Sequence, residues 1–192
     1  VPISLSEGVL HVMTLSNSYS VQMYHRIHTN IKKNLEIELN VLLGEIDIFA
    51  SYEYFKEEDI KNIDIKSATY NSQTETYEIK NFIFKLNLKS FSTLKISSDF
   101  ITTNLGTNDD KSKIAHIYYY IRRSDSMISH NKICQYTLAE KTTETKGQLL
   151  QPGLVHNGNL KVGRKAYFII EEIEKRKSAY INVIFKKGSG NL

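Results

Sequence analysis

Six histidines, one cysteine and twenty-one carboxylates are the side chains of this 192-residue chain whose types suit metal binding and acid–base work best. The closest histidine pair is His25 and His28. On a strand, residues three apart point to opposite faces, so these two share a metal only if the strand bends. His11, His116, His130 and His156 are scattered, and no Cys/His spacing of the zinc kind occurs. Ordinary surface or half-buried histidines are the expectation. Cys134 lies between Ile133 and Gln135-Tyr136 and reads as a small buried hydrophobe. A thiol–imidazole pair with His130 is the enzymatic alternative. Glu45 and Asp47 fall on one strand face, and Asp109-Asp110 on a polar stretch. Both read as solvated carboxylates first and as calcium ligands second. Gly106, Gly153, Gly158 and Gly163 are isolated turn glycines, and no nucleophile elbow, phosphate loop or dinucleotide fingerprint is present. No catalytic, cofactor or metal residue is expected.

Aromatic and basic side chains offer more. Residues 118–123 run Tyr118, Tyr119, Tyr120, Ile121, Arg122, Arg123. Alternation sends Tyr118 and Tyr120 to one side and Tyr119 to the other, one set into the core and one free to stack on a ligand. Tyr118, Tyr120, Arg122 and Arg123, with Asn157 and Asn159 around Gly158, are the candidate ligand or partner contacts. The run 171–177 changes sign midway and reads as a solvated hairpin loop.

The elements that position these residues are strands. Leu35, Ile37, Leu39 and Val41 alternate with Glu36, Glu38 and Asn40. This is the period-two pattern of a half-buried strand. Residues 46–50 resume it after Leu43-Gly44-Glu45, so the two read as a hairpin. Residues 9–15 and 20–27 read as a second pair around a turn at 16–19. Further strands are expected at 63–65, 76–79, 82–88, 92–96, 114–121, 133–138, 165–170 and 180–185. Only residues 54–60 carry a helical pattern. Strands near Leu35 and Tyr180 are expected at sheet edges, where unpaired backbone recruits partners.

The reading is all-β, with one or two antiparallel β-sandwich (jelly-roll-like) domains. Residues 1–103 form a sandwich, 104–112 a linker or long loop, and 113–187 a second sandwich or the second half of one. Residues 188–192 form a flexible tail. Hydrophobic residues at 41% and charged residues at 24% are ordinary globular composition. No apolar run is long enough for a transmembrane helix. A net charge of +4 is too mild for a dedicated nucleic-acid domain. The absence of an Asn-x-Ser/Thr sequon weakens a heavily glycosylated surface. Val1, with no initiating Met, leads to the expectation of a processed product or a segment of a longer chain.

Residues 35–39, then Gly44, Glu45, Ile46, Asp47 and Ile48, resemble the centre of bacterial pre-peptidase C-terminal-type domains. Those pair an alternating strand with Gly-Asp-x-Asp-Leu. Here Glu45 replaces the first Asp and Ile48 the Leu. Residues 166–170 and 178–183 resemble the closing strands of the same domains. The resemblance covers about a third of the chain. It implies a jelly-roll-like sandwich attached to secreted proteins as an accessory, binding or spacer module. The expected function is therefore a non-enzymatic structural or protein-interaction module of a larger extracellular or surface-associated assembly. Protein partners or self-association are expected, without cofactor, nucleic acid or membrane span. A carbohydrate-binding or adhesion module is the alternative, with a glycan as ligand.

Overall fold

The computed structural model describes residues 1–104, 114–141, 148–150, 168–170, 181 and 183–184. In chain order its strands are β1 (Ile3–Ser4), β2 (His11–Leu15), β3 (Val21–His28), β4 (Leu35–Leu43) and β5 (Ile46–Ser51). Helix α1 (Glu57–Lys61) and a 3-10 turn at Ile65–Ser67 precede β6 (Thr69–Asn71), β7 (Thr76–Ile79), β8 (Phe82–Leu88) and β9 (Phe91–Ile96). Then come α2 (Ser98–Asn104), β10 (Ala115–Arg123), α3 (Asp125–Ser129), β11 (Cys134–Glu140), β12 (Gln148–Leu150) and β13 (Phe168–Ile170). The protein is predominantly β.

Seven strands form one sheet in the order β1-β3-β10-β5-β8-β7-β6, and four form a second in the order β2-β11-β4-β9. Pairing within both is antiparallel except for β1 on β3. The main core lies between them, with Ile37 and Leu39 of β4 meeting Ile48 of β5 and Tyr119 of β10 in one buried cluster. The Tyr24 and Tyr136 hydroxyls hydrogen-bond across this core at 3.0 Å, joining β3 to β11. Arg26 and Glu140 make a second inter-sheet link, an ion pair of 2.5 Å. β10 lies between β3 and β5, and β11 between β2 and β4, so strands on both sides of 104–112 share both sheets.

The two expected hairpins are corrected. β4 and β5 are neighbours in sequence, yet β4 belongs to the small sheet and β5 to the large one, and the same holds for β2 and β3. Each connection is an arch that crosses the sandwich. At the first arch Gly44 adopts φ +81, a left-handed conformation that costs a side-chain-bearing residue free energy. A Cβ there would lie 2.6 Å from Cys134 Sγ and 2.9 Å from the Ile133 carbonyl oxygen. The arch is thus packed directly under β11. The edge expected near Leu35 is corrected too: β4 is flanked by β11 and β9.

A smaller core on the far face of the large sheet explains a further difference. All six residues of β5 are buried. Ile46, Ile48 and Ala50 face the main core, whereas Phe49 joins Val21, Ile60, Phe82, Phe84 and Tyr120 beneath the 54–68 segment. Helix α1 overlaps the expected 54–60 stretch and ends one residue beyond it. Residues 63–65, expected as a strand, instead lead into the 3-10 turn, with the Asp64 carboxylate accepting the Lys66 N–H. Ile63 and Ile65 pack on the smaller core, so their alternation reports burial without strand pairing. Helices α2 and α3 lack enough turns to show a periodic pattern. Strands expected over 165–170 and 180–185 lie mostly outside the described residues.

Gly44→Ala is expected to destabilise the fold by about 3 kcal/mol through a strained φ and a clash. Denaturant unfolding measures this. Adding Cys134→Ala should recover only part of the loss, because the Ile133 carbonyl contact remains.

Candidate functional site

Arg122 and Arg123 occupy opposite faces of one strand end, and both are buried, at 3% and 2% exposure. Arg122 points to the outer face. Its Nε donates to Asp47 Oδ2 at 3.0 Å, and its Nη1 donates to the carbonyls of Ile60 and Lys61 at 3.0 and 3.2 Å. The guanidinium lies 5.0 Å from the Phe49 ring centre, within cation–π range. Asp47 Oδ1 also accepts the Asn87 N–H at 2.9 Å. Burial pushes the Asp47 carboxyl up from its ordinary value, against the pull of the Asn87 amide and Arg122. Arg123 points the other way, donating to the Lys132 carbonyl at 2.8 Å and to Asn17 Oδ1 at 2.6 Å. It ties the β2–β3 arch to the turn after α3.

The expected partner contacts therefore divide. Tyr120, Arg122 and Arg123 are corrected from surface contacts to interior ties. Tyr120 is fully buried; its hydroxyl accepts the Phe55 N–H at 2.7 Å and donates to the Glu53 carbonyl at 3.3 Å. Burial pushes that hydroxyl up to about 12. The 54–68 segment covers the face on which alternation places Tyr120 and Arg122, and Arg123, on the opposite face, turns inward to Lys132 and Asn17. Asn157 and Asn159 lie outside the described residues.

Tyr118 alone of the described four reaches the surface in part. It pairs with His25 across β10 and β3, and the rings stack with centres 4.6 Å apart and planes within 12°. His116, two residues before Tyr118, sits diagonally across from His25. Its Nδ1 lies 3.0 Å from His25 Nε2. The ring planes agree within 10° and the centres are 5.2 Å apart, so the facing nitrogens lie between the ring centres and the rings meet edge to edge. One ring donates N–H and the other accepts. Tyr54 packs edge-on against Tyr118 at 5.6 Å and is 51% exposed; Ile27 beyond is 45% exposed. The patch lies where the cover over the outer face stops. Burial lowers the His25 imidazole from its ordinary value, and His116 lowers it further.

Other sequence candidates are occupied structurally. The buried Cys134 thiol donates to the Glu45 carbonyl at 3.3 Å, and burial pushes its pKa up. His130 Nδ1 lies 2.8 Å from the Ser126 carbonyl, and no described contact joins it to Cys134. Glu45 pairs with Lys89 at 3.1 Å. His28 faces the core side and bonds the Lys33 carbonyl, away from His25. Among the described residues, no group of three or more His, Cys, Asp or Glu converges on a metal position. No described helix is long and apolar enough to cross a membrane. Two open depressions also occur. One of about 240 Å³ is lined by Tyr70, Glu75, Tyr77 and Lys85; one of about 540 Å³ lies at the arch beside Leu43, Met127 and Ile133.

These features define a β-sandwich whose outer sheet face is half covered and half displayed. No family model matches the chain, and no curated protein matches it. Among solved structures, it is similar to the pre-peptidase C-terminal domain of collagenase from Bacillus anthracis. The identity is 14%, covering 73% of this chain and 95% of that one, with a TM-score of 0.34. The resemblance read at residues 35–48 is to the same kind of domain.

Removing one partner of the buried Arg122–Asp47 pair leaves an uncompensated charge, so Arg122→Met is expected to cost about 3–5 kcal/mol. The double change Arg122→Met with Asp47→Leu should regain most of that in the same unfolding assay. For His25, the folded pKa lies below the unfolded one, so its stabilising contribution is present above about pH 6.5 and fades as pH falls through the folded value. A proton NMR titration should place its midpoint below 6.5, and His116→Ala should move it upward.

Proposed function

We propose that this chain is a non-enzymatic β-sandwich module that works by presenting a fixed surface to protein partners or to further copies of itself. The observation that supports it is the patch of Ile27, His25, His116, Tyr118 and Tyr54. Apolar and aromatic groups lie exposed there on β3 and β10 and on the loop after β5. Exposed aromatic surface on a rigid element loses little conformational entropy when covered, the economy that interface residues exploit. Asp47 and Cys134, read in sequence as a possible cation ligand and a possible nucleophile, are engaged in holding the cover and the Gly44 arch. An extracellular or surface-associated setting is part of this proposal and rests on the sequence resemblance at residues 35–48.

A second reading, carbohydrate binding, draws on the open depression beside Tyr70 and Tyr77. These rings lie 4.9 Å apart, with Glu75 and Lys85 as polar neighbours. Paired tyrosine faces beside hydrogen-bonding groups suit a sugar ring.

Sedimentation velocity over a range of concentrations, alone and with candidate partner proteins, tests the leading reading. Association that is lost in Ile27→Asp and Tyr54→Ser, with unchanged melting, is the expected result. A strict monomer that binds no protein partner contradicts it, and glycan-array binding lost in Tyr70→Ala would favour the second reading.

A further inference from the structure

The contact between His25 and His116 has a geometry that suits more than a hydrogen bond. Two ligand nitrogens on one metal, each about 2.0–2.1 Å from it, are separated by about 2.9–3.4 Å for right-angle to tetrahedral arrangements. The observed separation of Nε2 and Nδ1 is 3.0 Å. The backbone sets this proximity: β3 and β10 pair Tyr118 with His25 and His116 with Ile27, which makes the histidines diagonal neighbours on one face. The Tyr118 ring stacked on His25 at 4.6 Å restrains that imidazole, so less rotamer freedom is lost on binding. His116 is exposed and His25 partly so, which leaves the outer side of the pair open to solvent.

We propose that His25 and His116 form a two-imidazole site for a borderline divalent transition-metal cation such as Zn²⁺, Ni²⁺ or Cu²⁺. An ion at that distance from both nitrogens lies off the line joining them, so each ring turns by about 40° to bring its lone pair onto the ion. The ring that donates the N–H in the metal-free pair shifts its proton to its far nitrogen, so the neutral pair binds the cation without net proton release. Imidazole nitrogen favours these ions over Mg²⁺ and Ca²⁺, which prefer oxygen. The remaining positions carry water. The site lies inside the partner-facing patch, but its existence does not depend on any partner.

Isothermal titration of the full chain with ZnCl₂, NiCl₂ and MgCl₂ at about pH 7.5, where imidazole is neutral, tests the site. Saturable one-to-one binding of Zn²⁺ and Ni²⁺, without Mg²⁺ binding, is expected. His25→Ala and His116→Ala should each weaken it at least about tenfold, while His130→Ala leaves it unchanged. In the wild-type chain, sub-stoichiometric Ni²⁺ should broaden the NMR signals of His25 and His116 before those of other histidines. No saturable binding, binding that survives both variants, or broadening centred on another histidine overturns the proposal. Failure of this site leaves the interaction reading standing, because that reading is tested by association of the metal-free protein.

Discussion

Burial on both faces of β5 and of residues 119–123 of β10 is the constraint on which the rest of the structure depends. A two-sheet sandwich ordinarily hides one face of each sheet and wets the other. Here the outer face of the large sheet carries Phe49, Phe84 and Tyr120, too much apolar surface to leave in water. The chain meets this by sending residues 54–68 over that face. The segment is short, so polar ties hold it: Arg122 binds its carbonyls at Ile60 and Lys61, and Tyr120 binds its entry at Glu53 and Phe55. A buried arginine needs a counter-charge, and Asp47 on the adjacent strand supplies one. Cover, ion pair and paired strands are one cooperative unit.

The proposed function follows from where that cover ends. Tyr118 and His25 occupy the same face as Tyr120 and Met23 but lie further along β10 and β3, beyond the cover. They are held as rigidly as core strands allow, yet remain accessible. A displayed surface on rigid strands suits recognition. The arches at the other end of the strands serve cohesion, with Gly44 under Cys134 and Arg123 bridging Asn17 to Lys132.

Much of this was legible in sequence and some was not, for physical reasons. The alternation of β4 and the runs that become β8, β10 and β11 were readable because each strand's side-chain pattern is local. Sheet membership was not. Leu43-Gly44-Glu45 signals a reversal, but an arch and a hairpin both need a turn, and only distant pairing to β11 distinguishes them. Asp47 looked like the polar partner in a half-wet strand because its counter-charge, Arg122, is 75 residues away. The same distance hid the fate of Arg122, which in sequence resembled a surface charge at a strand end. Tyr118 was a candidate contact in sequence and is partly exposed in the structure, while its histidine neighbours come from spacing that no local motif records: His25 and His116 are 91 residues apart.

Amide hydrogen exchange resolved by residue tests the central claim most directly. If β5 and the covered part of β10 are sealed on both sides, the amides of Ile46–Ser51 and of residues 119–123 should exchange only through global unfolding. Edge strand β6 should exchange by local opening. Exchange in β5 as fast as in β6 would contradict the account, since it would mean that the outer face is open to water and the cover is not part of the folded unit.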